Sequence, residues 1–195
     1  MKHKLDELLK TNLKFPDSSN IQQRGIADKI EVMCNDIIKT YFQDVKSARS
    51  RRSVEDISIG NTYVDHKTSD EALDFKMPNL ISIDRLMKLD RPLVYNFVLY
   101  NSETKSIVNN FSLDVYELNW KHLKIQNLGV GQLQISNMKN FLESPKTTMT
   151  KEEWLNTLRT ESVEFYRRLI TKTERRMKNW QTFNVASGTL DTLTK

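Results

Sequence analysis

Glu55-Asp56-Ile57-Ser58-Ile59-Gly60-Asn61-Thr62-Tyr63-Val64-Asp65-His66-Lys67 is the stretch on which the reading of the whole chain turns. Val54, Ile57 and Ile59 precede Gly60-Asn61, and Tyr63 and Val64 follow it; branched and aromatic residues around such a dipeptide signal a tight hairpin. The segment therefore predicts two antiparallel strands. A turn at Gly60-Asn61 sets Asp56 and Asp65 near the same end of the pair, where their side chains can converge. Acids are disfavoured in strands, so two of them bracketing a turn need a reason. Neighbouring carboxylates repel unless a hard cation lies between them, and Mg²⁺, which prefers oxygen ligands and keeps several waters, suits such a pair. Asp65 and Lys67 are two apart and share one face of a strand. A lysine there stabilises charge building on phosphorus and helps to position or deprotonate an attacking water. The main-chain carbonyl of His66, between them, is a further candidate metal ligand. Spacing alone leaves a second reading open, a charged and solvated hairpin.

Working outward, Lys4 to Leu13 reads as a short amphipathic helix ended by the Phe15-Pro16-Asp17 turn. Apolar residues at Ile26, Ile30, Met33, Ile37, Ile38 and Tyr41 recur at helical spacing and predict a helix from Ile21 to about Phe42. On the other side of the hairpin, Asn79 follows Pro78 and is expected to cap a third helix through Ile81, Leu86 and Leu89. Leu93 to Tyr100 reads as a buried strand and Ser106 to Glu117 as its neighbour. Trp120 to Lys124 suggests a helical turn, and Gly131 to Ser136 a short strand. Thr150-Lys151-Glu152-Glu153 is a capping box opening a long helix with Trp154, Leu158, Phe165 and Leu169 on its apolar side. Helices, strands with one inserted helix, then a long helix, predict an α/β fold with a sheet covered by helices.

The bulk properties fit that picture. The 195 residues, 38% hydrophobic and 28% charged, are expected to form one domain spanning 1–195, with about 1–20 as an N-terminal arm and about 181–195 as a tail. Apolar runs such as Leu93 to Tyr100 are too short to cross a bilayer, and the charged start, MKHKLDELLK, lacks the apolar core of a signal peptide. One cysteine, Cys34, excludes an intramolecular disulfide and a cysteine metal cluster. His3, His66 and His122 are too scattered for a histidine site. The cytoplasm is the expected compartment. A net charge of +5 and a pI of about 9.2 suit a phosphate polymer as partner. The charge is grouped: Lys46, Arg49, Arg51 and Arg52 precede Asp56, and Arg167, Arg168, Lys172, Arg175, Arg176 and Lys178 lie near the C-terminus. Either group can be a phosphate contact or a solvated face.

Asp56…Asp65-His66-Lys67 resembles the motif of the PD-(D/E)xK superfamily of restriction endonucleases. Further along, Pro78-Asn79-Leu80-Ile81-Ser82, the aromatic strand Val94 to Tyr100, Asn127 with Gln132-Leu133-Gln134, and Thr150-Lys151-Glu152-Glu153-Trp154 follow in the order seen in the HincII and SwaI branch of blunt cutters. The likeness spans roughly Gly25 to Trp180. It departs from the pattern at Glu55, where the name-giving proline stands, and at His66, where an apolar residue is usual. The resemblance implies a restriction-endonuclease-like core, a central mixed sheet flanked by helices with a long C-terminal helix. It implies Asp56, Asp65 and Lys67 as catalytic residues, and Mg²⁺ held by Asp56, Asp65 and the His66 carbonyl. It also implies DNA contacts from Lys76, Asn79, Asn127, Gln132, Gln134, Arg51 and Arg52. Asn and Gln can read adenine edges in the major groove. Asp28 and Glu31, three apart on one helix face, read as a solvated face or as an accessory acid. The implied activity is cleavage of both strands of duplex DNA at a short symmetric site by a homodimer, leaving blunt 5′-phosphate ends, beside a separately encoded DNA methyltransferase. The rival readings are a repair or junction-resolving nuclease with the same core and a non-catalytic DNA-binding module.

Overall fold

A computed structural model describes residues 1–17, 23–48, 53–72, 78–126, 131–184 and 189–190. Helices α1 (Lys2–Asn12) and α2 (Gln23–Tyr41) lead into strands β1 (Val45–Ser47), β2 (Ile57–Ile59), β3 (Thr62–Asp70) and β4 (Asn79–Ser82). After the single turn of α3 (Ile83–Leu86) come β5 (Leu93–Asn101), β6 (Ser106–Asp114), β7 (Leu123–Gln126) and β8 (Gln132–Ile135). The chain ends with α4 (Met138–Glu143), α5 (Lys151–Gln181) and the two-residue strands β9 (Phe183–Asn184) and β10 (Thr189–Leu190).

The expected hairpin sets the centre. Ile59 pairs with Thr62 and Ile57 with Val64 across a two-residue turn. Gly60 turns the corner at φ +56°, a backbone angle that disfavours any residue with a Cβ. A Cβ there would meet nothing within 4 Å, so the requirement is conformational rather than a matter of space. Around this hairpin a five-stranded sheet forms in the order β1-β2-β3-β5-β6. β3 and β5 run parallel, and the other three pairings are antiparallel. The sheet is mixed and the chain α/β, as its sequence pattern implies.

β5 lies between β3 and β6, and Leu93 through Tyr100 are all buried. Alternation divides those residues between two cores. Val98 and Tyr100 pack with Leu5, Leu9, Ile30 and Ile38 of α1 and α2 on one side. Tyr95, Phe97 and Leu99 pack with Leu133, Phe141, Trp154 and Phe165 on the other. The second side is closed by a three-stranded antiparallel sheet in the order β4-β8-β7 and by the first half of α5. Thr150 and Glu153 form the expected capping box at the start of α5. Trp154 is then fixed by its indole N–H, which donates to the Leu118 carbonyl at 2.9 Å. Among the described residues, no helix is long and apolar enough to cross a membrane.

Several local expectations are corrected. Asn79 opens strand β4 instead of capping a helix, because Asn79 and Ser82 pair with Gln134 and Gln132 of β8. The helix that follows is one turn, and Ser82 caps it by accepting the Arg85 N–H at 3.4 Å. The strand expected to reach Glu117 stops at Asp114, where a second capping box starts a 3-10 turn over Val115–Glu117. Trp120–His122 is a 3-10 turn as expected, but Leu123 and Lys124 belong to β7.

Candidate active site

Asp56 stands just before β2, yet it continues the ladder: its N–H donates to the Val64 carbonyl at 3.0 Å. With Ile57 opposite Val64, that bond sets Asp56 across from Asp65. One Asp56 oxygen, Oδ2, accepts the main-chain N–H of His66 at 2.7 Å, so the first acid is bonded to the strand that carries the second. Asp65 and Lys67 share a face as their spacing requires. The Lys67 ammonium donates to both carboxylate oxygens of Asp65, at 3.0 Å to Oδ1 and 2.7 Å to Oδ2. Asp65 is 7% exposed. Burial is the main cause that pushes its carboxyl up to about 7; Lys67 opposes the rise, and the charge and hydrogen-bonding contact of Asp56 add to it. The two carboxyl groups therefore do converge. Beneath them, the Lys67 ammonium sits 5.8 Å from the centre of the Tyr95 ring. The Tyr95 hydroxyl is fully buried without a hydrogen-bond partner, and burial with the nearby Asp65 charge raises its pKa well above the ordinary value.

The opposite face of β3 is polar in another way. Parallel pairing places His66 beside Asn96, and antiparallel pairing places Asn96 beside Ser112. Their side chains join across the sheet: His66 Nδ1 lies 2.9 Å from Asn96 Oδ1, and the Asn96 amide donates to Ser112 Oγ at 3.1 Å. Ser112 in turn hydrogen-bonds Asp6 of α1. Burial is the largest influence on the His66 ring and lowers its pKa, which favours the neutral form. Next along this face, the Thr68 hydroxyl donates to Glu31 of α2 at 3.3 Å. The Glu31 carboxyl is pushed up to about 7 by burial and then by Asp56, against the pull of Lys67. Glu31 is thus a half-buried acid next to the centre, while Asp28 is exposed on the helix surface.

A cleft of about 430 Å³ opens over the cluster, lined by Asp56, Asp65 and Lys67 with Glu55, Ser82, Arg85 and Gln132. Arg85 was not singled out from sequence. Its visible signal was its place just after Ile81-Ser82, but Asn79 was read as a helix cap and so the residue was put on the wrong element. Of the expected DNA contacts, Gln132 donates to the Leu80 carbonyl at 2.9 Å, and the Gln134 amide donates to Asn79 Oδ1 at 2.8 Å. Asn79 and Gln134 are therefore brought together as a cross-strand pair. Arg51, Arg52, Lys76 and Asn127 lie outside the described residues.

Among the described residues, no group of three or more His, Cys, Asp and Glu side chains is arranged to hold a metal ion. The donor chemistry nonetheless fits Mg²⁺: two carboxylates in contact and a main-chain carbonyl are hard oxygen donors, and this ion keeps waters for its other positions. The raised Asp65 carboxyl points the same way, since two acids held together in a buried site lack positive charge beyond the Lys67 ammonium. No protein-family model matches the chain, and no curated protein matches its sequence.

Proposed function

We propose that the chain is a Mg²⁺-dependent DNA endonuclease with a restriction-endonuclease-like core, in which Asp56, Asp65 and Lys67 are the catalytic residues. The observation that carries this reading is the contact of Asp65 with Asp56 on one side and with Lys67, through both oxygens, on the other, at the wall of an open cleft. That arrangement suits phosphodiester hydrolysis. Asp56, Asp65 and the His66 carbonyl would hold the ion, which when bound supplies Lewis acidity and a more acidic water. The Asp56 bond to the His66 N–H keeps the two acids in register. Lys67 places a positive charge where the phosphate oxygens gain negative charge. Arg85, on the cleft wall, offers a second cation for an incoming phosphate, and the exposed basic residues of α5 offer more.

The substrate most consistent with the motif order is duplex DNA, cut on both strands at a short symmetric sequence by a homodimer, with blunt 5′-phosphate ends. A cytoplasmic restriction enzyme of this type works beside a methyltransferase encoded separately. Incubation with circular plasmid and Mg²⁺ should give discrete fragments, and sequencing their ends gives site and cut position together. Asp65→Asn should bind DNA and leave it intact. A smear, or intact plasmid with every divalent ion tried, refutes the restriction reading.

The two Lys67–Asp65 contacts also favour a second reading, in which the cluster is an ion pair inside a DNA-binding module. Metal-independent binding that tolerates Asp65→Ala, with no cleavage by the unaltered chain, would establish it.

A further inference from the structure

Helix α5 has two halves. Its first half is anchored by Trp154, Leu158 and Phe165, and Tyr166 donates its hydroxyl to Asp84 at 3.0 Å. From Ile170 to Gln181 all twelve residues are exposed, so more than three turns of helix stand away from the body. Large apolar side chains are nevertheless placed there. Val163 is 45% exposed, Ile170 and Met177 57% each, and Trp180 74%. Val163, Ile170 and Met177 are seven apart, and Thr173 and Trp180 lie three residues beyond the second and third of them. A seven-residue apolar repeat keeps one stripe facing a partner helix as the two wind around each other. Elsewhere on this stretch the charge is largely basic, with Arg168, Lys172 and Arg175 away from the stripe.

We propose that this stripe is a self-association surface, in which the outer half of α5 pairs in parallel with the same helix of a second copy of the chain. The charges beside the stripe favour that occupant. In a parallel pair, the position just before each Ile170- or Met177-type residue faces, on the partner, the position five residues later. Leu169 then meets Glu174 and Arg176 meets Gln181, so no like charges oppose each other. Two such stripes bury on the order of 1,000 Å², the lower limit for a specific interface. The contact covers fewer than three heptads, and a dissociation constant in the micromolar range is expected. A two-fold axis along the paired helices also sets the two bodies, with their clefts, at the same end. The inference deepens the homodimer proposed above, but its test uses no DNA.

Sedimentation of the full chain across the micromolar range should show a monomer–dimer equilibrium. Ile170→Lys/Met177→Lys should remain monomeric with an unchanged melting temperature at low concentration, since neither side chain touches the body. In a Cys34→Ser background, Met177→Cys should form a disulfide-linked dimer under a mild oxidant, because residue 177 faces its own copy only in the parallel arrangement. A wild-type chain that is monomeric throughout, a double variant that still dimerises, or no cross-link at 177 overturns the proposal. So does a monomer that binds anionic phosphatidylserine vesicles through the same residues. Loss of dimerisation with single-strand nicking retained would leave the nuclease reading standing, and a dimer inert toward DNA would do the reverse.

Discussion

On one face of β3, Asp65 and Lys67 meet as a carboxyl and an ammonium group at the wall of a cleft; on the other, His66 and Thr68 are covered by α1 and α2. The cleft face keeps an acid that is costly to ionise and compensates it with one lysine. The covered face satisfies its polar atoms with neutral partners, Asn96 and Ser112, in register across three strands. Asp56 is the hinge between the two. It contacts Asp65, accepts the His66 N–H, and raises the Glu31 carboxyl. The contrast teaches that charge on this strand is concentrated where solvent and ligand can reach it, and that the face behind is built to hold that charge in place.

The contrast is tested first at its strongest point. Lys67→Ala removes the cation from the cleft face and should lower the cleavage rate by about 10³-fold or more, the scale on which such electrostatic groups act. DNA binding should change little by comparison, which a gel-shift titration beside a cleavage time course would show. Cleavage within ~10-fold of wild type would mean that the lysine is only a structural partner of Asp65.

The covered face should answer in stability instead. Asn96→Leu leaves His66 Nδ1 and Ser112 Oγ without their shared partner inside the sheet. The expected cost is about 2–4 kcal/mol, or a fall of roughly 5–15 °C in melting temperature for a chain of this size. Thermal unfolding measures it. A change under ~1 kcal/mol would show that the row of side chains contributes little to holding β3.

Much of the cleft face was legible because its cues are local. Gly60-Asn61 fixes the turn, the turn fixes the register, and the register brings Asp56 opposite Asp65, with Lys67 two residues on. The covered face depends on contacts far apart in the chain, so it was harder to read. One clue was present: Asn96 is the one strongly polar side chain between Leu93 and Val98. Its partners follow only once β3, β5 and β6 are known to lie side by side in that order. Glu31 drew notice as part of an acidic pair, but nothing near it in sequence says that it is half-buried beside Asp56 while Asp28 faces water. The same limit explains β4. Leu80, Ile81 and Leu86 suit a helix by spacing, and only pairing with β8, some fifty residues later, makes Asn79–Ser82 a strand.

Both faces also contain an acid whose carboxyl is raised to about 7, Asp65 in one and Glu31 in the other. The folded chain holds these protons more tightly than the unfolded chain, where the ordinary values are 3.8 and 4.5. Their contribution to stability is therefore complete below about pH 4 and is lost as the pH rises through about 7. In metal-free buffer, Asp65→Asn and Glu31→Gln should each gain melting temperature relative to wild type between pH 5 and pH 8, by a few degrees. Mg²⁺ added at pH 8 should raise the melting temperature of wild type and not of Asp65→Asn. Parallel melting curves for wild type and variants across this range would count against the buried-acid account.

The smallest expected effect is at the contact where the covered face meets the centre. Thr68→Val keeps the shape of the side chain and removes the hydroxyl that donates to Glu31 at 3.3 Å. That bond favours the ionised carboxyl, so without it Glu31 holds its proton to still higher pH. A carboxyl that can take up a proton softens its own loss, and below pH 6 the variant should melt close to wild type. Above pH 7 the unfolded chain releases the proton freely, and a deficit of about 0.5–1.5 kcal/mol should emerge. Melting curves for Thr68→Val at pH 5.5 and pH 8.5 compare the two conditions directly. A deficit of equal size at both would mean that Thr68 serves packing alone, and that the two faces of β3 are coupled through Asp56 without help from α2.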